Sequence, residues 1–141
     1  MAAHEHINKD QSGKYVRLHR GFAGVHHNQV DTTALGQHWV GDSNAHLADS
    51  FATDQFKTGD VYNDESHRGT VLVGFVHKRH IMEPDTLEHE KWANVGYGAV
   101  ASENEVPLRP GTPVHLVNAT NYRASGRDTY VPFKKPRRGR A

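Results

Sequence analysis

Residues 70–77 read Thr-Val-Leu-Val-Gly-Phe-Val-His and form the most continuously apolar stretch of the chain. A short apolar run rich in β-branched and aromatic residues is typical of a strand buried inside a sheet. Residues 15–22 read Tyr-Val-Arg-Leu-His-Arg-Gly-Phe and alternate with the period of a second strand. Together these two stretches predict that the fold is built round a sheet.

The second of these strands carries an arginine in an unusual place. Alternation puts Arg20 on the same face as Val16 and Leu18, and it puts His19 on the opposite face with Gly21. An unpaired charge among aliphatic side chains is unfavourable. Arg20 is therefore expected either to have a structural salt-bridge partner or to bind a ligand.

The remaining predicted elements are shorter. Apolar residues at helical spacing over residues 45–56 predict one amphipathic helix, which begins after a polar turn over residues 41–44. Residues 83–91 are expected to form a loop or a short helix. Further strands are predicted over residues 36–40, 96–101 and 113–119 and, at an edge, over residues 128–133. Several short strands with one clear helix predict an α+β domain with a largely antiparallel sheet.

The length of 141 residues fits one domain. We expect a flexible N-terminal arm over residues 1–14, a single domain over residues 15–133 and a basic C-terminal tail over residues 134–141. The chain has no cysteine, which excludes disulfides, thiolate metal sites and a cysteine nucleophile. It also has no apolar run of the ~20 residues that span a membrane and no apolar signal-peptide core, so a cytoplasmic location is expected.

The C-terminal tail carries much of the positive charge. The chain has 17 basic and 16 acidic residues, and five of the basic residues are Lys134, Lys135, Arg137, Arg138 and Arg140. The rest of the chain is therefore mildly acidic. Such a tail can contact the phosphates of a nucleic acid or another polyanion, and it can equally be a solvated segment that favours solubility.

Four sequence features occur in a fixed order along the chain. The pair Arg20-Gly21 lies near the end of the first strand, and a short strand is followed by a helix containing Ala48-Asp49-Ser50-Phe51-Ala52. The apolar strand over residues 70–77 comes next. The last feature, over residues 103–114, has the form Glu-x-Glu-aliphatic-x-Leu-x-x-Gly-x-x-Val.

This order resembles the mono-ADP-ribosyltransferases of the Arg–Ser–Glu type, the cholera-toxin-like and clostridial enzymes, over residues 15–119. The resemblance implies a split, mostly antiparallel β-sandwich with an NAD-binding cleft. It implies that Glu105 holds the ribose of NAD and that Glu103 orients the attacking group, commonly a protein arginine. It also implies that Arg20 and Gly21 belong to the cofactor-binding strand.

The chain departs from that family at the Ser-Thr-Ser motif. The corresponding segment contains His38 and Trp39 and no hydroxyl pair on the strand. We expect His38 to replace the serine as polar partner and Trp39 to stack on the nicotinamide or line its pocket. Phe51 is expected to belong to the core and to the cofactor-binding set.

Two classes of function follow from these features. The first is an enzyme that transfers ADP-ribose from NAD to a macromolecule, with protein arginine favoured, a nucleic-acid base as secondary acceptor and NAD hydrolysis as a side reaction. The second is a non-catalytic structural or interaction protein, such as a viral one, that keeps a transferase-like fold and docks through its basic tail. Under the second reading Arg20, Glu103, Glu105, His38 and Trp39 are ordinary structural or solvated residues.

The chain is rich in histidine, with 12 residues of this type. The groups His4-x-His6, His26-His27 and His77-x-x-His80 offer imidazole ligands, but none forms a His-Glu-x-x-His motif. A strand would also turn His77 and His80 to opposite faces. We therefore predict no metal site.

Overall fold

The structure is a computed structural model that describes residues 13–32, 35, 38–57, 67–83, 86–94 and 105–133. Its described strands form one antiparallel sheet with the order β4-β2-β1-β3-β5-β6. The strands are β1 (Tyr15–Ala23), β2 (Trp39–Gly41), β3 (Arg68–His77), β4 (Glu105–Val106), β5 (His115–Arg123) and β6 (Gly126–Pro132).

Helix α1 (Ala45–Thr53) follows a 3-10 turn over Asp42–Asn44, and a further 3-10 turn over Asp54–Lys57 continues it. Helix α2 (Leu87–Asn94) lies between β3 and β4 in sequence. In the described part of the chain, no helix is both long enough and apolar enough to cross a membrane.

The sheet carries apolar residues on both faces. On one face lies the larger core, which includes Val16, Leu18, Trp39, Leu72 and Val106. On the other face α1 packs through Ala48 and Ala52 against Val40 and Val71. Because β3 contributes to both cores, its side chains are buried on both faces, as its continuous apolar sequence predicts.

Two glycines allow α1 to lie close to the sheet. A Cβ placed on Gly21 of β1 would come within 2.2 Å of the carbonyl oxygen of Ala48, and one on Gly69 of β3 would come within 1.9 Å of that of Ala52. These distances leave no space for any larger residue at either position. The pair of glycines therefore fixes how closely α1 covers the two strands.

The structure confirms an α+β architecture with a mostly antiparallel sheet and few helices. The strands predicted at 15–22, 70–77, 113–119 and 128–133 are present with modest shifts of their ends, and residues 83–91 contain the start of α2. The short strand expected over residues 36–40 is observed as Trp39–Gly41. The strand expected over residues 96–101 lies outside the described residues, and the split β-sandwich of the transferase type stays a prediction.

Candidate functional site

A cavity of about 580 Å³ lies between α1 and the β4-β2-β1 side of the sheet. This volume is within the range of about 300–1,000 Å³ that small-molecule sites occupy. The cavity is lined by His19, Arg20, Gly21, His38, Val40, Leu47, Ala48, Ser50, Phe51, Asp54 and Glu105. Five of the seven residues that the sequence predicted for the site therefore lie at one cavity.

The three strands that carry the predicted site residues are neighbours in the sheet. Along one row, His19 of β1 is opposite Val40 of β2, and Val40 is opposite Glu105 of β4. Strands are roughly 4.8 Å apart, so the backbones of His19 and Glu105 are roughly 10 Å apart, with Val40 between them. These three residues line one side of the cavity, with the imidazole of His19 at one end and the carboxylate of Glu105 at the other.

Glu105 forms an ion pair with His38 at one end of this row. Nδ1 of His38 lies 3.0 Å from Oε2 and 3.1 Å from Oε1 of Glu105. The Glu105 side chain is 9% exposed, whereas that of His38 is 55% exposed. The carboxylate is thus enclosed, and the imidazole covers it from the solvent side. The pairing agrees with the expectation that His38 acts as the polar partner in place of a serine.

Arg20 lines the cavity, and part of its guanidinium has no hydrogen-bond partner among the described residues. In the described part of the structure, its Nε and Nη1 are buried and make no hydrogen bond, and its Cζ lies 4.4 Å from the centre of the Phe22 ring. Burial lowers the pKa of Arg20 below its usual value, and the charge of Glu105 partly offsets this effect. A buried donor without an acceptor is suited to receive an anionic group from a ligand.

The strand register explains how Arg20 can reach this position. Arg20 is opposite Leu72 of the larger core, so it starts on the face that alternation predicted. In the described residues, β2 pairs with β1 only at Leu18 and His19. On the side of β1 that pairs with β2, no described strand therefore lies beside the residues after His19. The long side chain of Arg20 adjoins the cavity there.

Three further residues form a charged chain at the opposite end of the row. Nε2 of His19 forms a short hydrogen bond with Oδ1 of Asp42. Arg17 donates from Nη2 to Oδ2 of Asp42 at 2.7 Å and from Nε to Oδ1 at 3.0 Å. Burial alone would raise the pKa of Asp42, but the hydrogen bonds and charges of Arg17 and His19 outweigh it and bring the pKa below its usual value.

Sequence reasoning did not assign His19 and Asp42 to the site. Alternation had put His19 on the same face as Gly21, and that face is the one that α1 and the cavity occupy. The signal for His19 was therefore present in the sequence. Asp42 was interpreted only as part of a turn, and its contact with His19 depends on the pairing of β1 with β2, which a local pattern does not reveal.

The predicted roles of two residues need correction. Trp39 is fully buried in the larger core and does not line the cavity, because alternation along β2 turns it away from His38 and Val40. Phe51 is 62% exposed at the cavity, not in the core, because Ala48 and Ala52 are the residues with which α1 packs on the sheet. Gly21 lines the cavity and also lies close to Ala48, and its role in cofactor binding stays a prediction.

Two other predictions fall outside the described residues. They are Glu103 of the Glu-x-Glu pair and the basic tail over residues 134–141. Among the described residues, no group of three or more histidine, aspartate or glutamate side chains is arranged to hold a metal ion.

Comparison with known proteins adds no relative. No protein-family model matches the sequence, and no curated protein or solved structure is significantly similar to the chain.

Proposed function

We propose that this protein is a mono-ADP-ribosyltransferase that uses NAD to modify a macromolecular acceptor. The observation that supports this most strongly is the convergence of three residues on one cavity. Arg20 lies on β1, His38 directly precedes β2 and Glu105 lies on β4, and these strands are adjacent in the sheet. These are the positions at which the resemblance to the Arg–Ser–Glu enzymes expects the cofactor-binding cation, the polar partner and the catalytic carboxylate. Their sequence separation makes the convergence informative.

The chemistry of the cavity suits cleavage of the bond between nicotinamide and ribose. That reaction develops positive charge on the sugar ring, as glycoside hydrolysis does. A carboxylate held in a cavity stabilises such charge far better than one in bulk water. Glu105 is enclosed and is oriented by His38, so it is the group that we assign to this role.

Arg20 supplies the recognition of the anionic part of NAD. Its buried Nε and Nη1 have no acceptor within the described residues, and a pyrophosphate oxygen would satisfy them. Phe51 offers an exposed aromatic ring at the same cavity for stacking on a planar base. The residues present therefore fit NAD as a substrate, and no metal is required by this arrangement.

Two acceptors follow from the sequence. Protein arginine is favoured because Glu103 stands at the first position of the Glu-x-Glu pair, and a nucleic-acid base is the second candidate because of the basic tail. When no acceptor is present, water takes its place and NAD is hydrolysed.

Nicotinamide release from NAD tests the proposal directly. The purified protein should release nicotinamide, and Glu105→Gln should reduce the rate by a factor of about 100 or more, because it removes the charge and keeps the shape. Glu90→Gln, on the exposed side of α2, is the matched control and should leave the rate unchanged. Equal release by wild type and Glu105→Gln would contradict the site assignment.

A wild-type protein that neither binds NAD nor releases nicotinamide would contradict the enzyme itself. That outcome would favour the second class of function, a structural or interaction protein that docks through its basic tail. In that case deletion of residues 134–141 should abolish salt-sensitive binding to a polyanion, and Glu105→Gln should have no effect on it.

A further inference from the structure

We propose that His19 is the general base of the reaction, taking a proton from the acceptor nucleophile through Nδ1, with Asp42 and Arg17 as its positioning residues. This inference rests on the proposed transferase activity and deepens it. It assigns a proton acceptor to the cavity, separate from Glu105, the group that stabilises the sugar.

The hydrogen bond to Asp42 defines which nitrogen of His19 is available. A carboxylate only accepts, so the neutral imidazole carries its proton on Nε2, where it donates to Oδ1 of Asp42. Nδ1 then holds the lone pair. Within the described residues no hydrogen bond is formed by Nδ1, and the side chain lines the cavity with 16% of its surface exposed.

Asp42, the partner of His19, is itself held by Arg17. Arg17 binds both carboxylate oxygens of Asp42, with contacts of 2.7, 3.0 and 3.1 Å. Because the pKa of Asp42 is lowered, its carboxylate stays ionised at neutral pH and keeps the imidazole in one tautomer. A base oriented by a carboxylate is the arrangement that activates weak nucleophiles in many enzymes.

The position of His19 in the sheet separates the two tasks of the reaction. Glu105 and His19 rise from the same row on the same face, with Val40 between them. The sugar held by Glu105 and a nucleophile near His19 can therefore occupy the same cavity from opposite ends. Separate groups for the sugar and for the attacking water are also what inverting glycosidases use.

The step balances as a displacement at C1′ of the ribose. The bond from C1′ to nicotinamide breaks, and its electron pair leaves with neutral nicotinamide. A lone pair on the oxygen or nitrogen of the acceptor forms the new bond to C1′. The proton of the acceptor passes to Nδ1 of His19 and from there to water.

Several charged or titratable groups surround His19 and contribute to any pH dependence. They come from β1, the residue before β2, the turn after β2, the 3-10 turn that continues α1, and β4. These groups are Arg17, Arg20, Asp42, His38, Asp54 and Glu105. A contribution of His19 to the pH dependence of the rate is therefore identified by comparing the pH profiles of the wild type and a His19 variant.

The test compares water with a nucleophile that carries no proton. His19→Asn should reduce NAD hydrolysis by a factor of about 100 or more, since general base catalysis contributes about 10²- to 10⁴-fold. Sodium azide, an anion with no proton to lose, should restore nicotinamide release by His19→Asn and yield ADP-ribosyl azide. The acid limb of the kcat/KM profile should weaken in the variant, with any contribution of Glu105 and His38 remaining.

Three controls make the result decisive. His46→Asn, an exposed histidine on α1 outside the cavity lining, should hydrolyse NAD as the wild type does. NAD binding and thermal unfolding verify that His19→Asn is folded. Asp42→Asn provides a second variant, which should lower hydrolysis and respond to azide in the same way.

The outcomes separate this inference from the proposed function. Hydrolysis and a pH profile unchanged in His19→Asn, with Glu105→Gln inactive, would overturn His19 as base and keep the transferase. Failure of azide to restore release by a folded, NAD-binding His19→Asn would also overturn it. No nicotinamide release by the wild type would overturn both.

Discussion

Gly21 and Ala48 meet where α1 crosses β1, and a Cβ on Gly21 would lie 2.2 Å from the carbonyl oxygen of Ala48. The obstacle is backbone, which cannot rotate away as a side chain can. We expect Gly21→Ala to lower the free energy of unfolding by about 1–3 kcal/mol, because the helix must move off the sheet. Denaturant unfolding measures this loss.

The same experiment on neighbouring positions provides the controls. Gly69→Ala should be destabilising for the same reason, since its Cβ would meet the carbonyl oxygen of Ala52. Ala23→Ser, on an exposed residue of β1, should change stability little. A Gly21→Ala protein as stable as the wild type would show that α1 is not held against β1 as described.

Substitution of Arg20 tests whether its guanidinium binds a ligand or stabilises the fold. Because Nε and Nη1 are buried with no hydrogen-bond partner in the described part of the chain, Arg20→Met should leave the melting temperature equal to or above that of the wild type. The same substitution should weaken NAD binding roughly 10- to 100-fold, the value of one or two hydrogen bonds to a charged group. Calorimetric unfolding and NAD titration measure the two effects.

Arg127→Met, an exposed arginine on β6, is the matched control and should change neither quantity. A large loss of stability in Arg20→Met would instead favour the structural interpretation of this residue. Intact NAD binding by the variant would remove Arg20 from the cofactor site.

Asp42 gives the protein a pH-dependent contribution to stability. Its folded pKa is below the ordinary value, so its contribution is present above the unfolded pKa of about 3.9 and is lost as pH falls through the folded pKa. Asp42→Asn should therefore be destabilised at pH 7, by about 1–3 kcal/mol for the lost charged hydrogen bonds. The difference from wild type should shrink below about pH 4.

Urea unfolding at neutral and acidic pH checks this prediction. Asp128→Asn is a suitable control because the side chain of Asp128, paired with Arg123, is 33% exposed, against 14% for Asp42. A constant difference between wild type and Asp42→Asn across the pH range would mean that the carboxylate charge is not what stabilises this contact.

Hydrophobic patterning predicted most of the sheet because its central strands are distinctive. The continuous apolar run of β3 and the alternation of β1 follow directly from burial on two faces or on one. The two-residue strand β4 has too little pattern of its own. The sequence did not predict it.

The sequence could predict a site residue where alternation along its own strand determines which face of the sheet its side chain occupies. His38 and Trp39 are adjacent, so alternation forbids both from facing one cavity, and the structure places only His38 there. Phe51 was misplaced because small residues, not the large one, face the sheet on α1. The contact between His19 and Asp42 depends on strand pairing, which no local pattern contains.

The contact between His38 and Glu105 predicts that loss of His38 affects kcat more than KM for NAD. Nδ1 of His38 lies 3.0 Å from Oε2 of Glu105, and the imidazole is more than half exposed, so its removal should cost little stability. His38→Leu should lower kcat for nicotinamide release about tenfold and leave KM for NAD nearly unchanged, because the enclosed carboxylate loses the group that orients it. Steady-state kinetics with His46→Leu as control separates the two constants. A raised KM with normal kcat would mean that His38 contacts NAD itself, and an unchanged enzyme would mean that Glu105 is oriented without it.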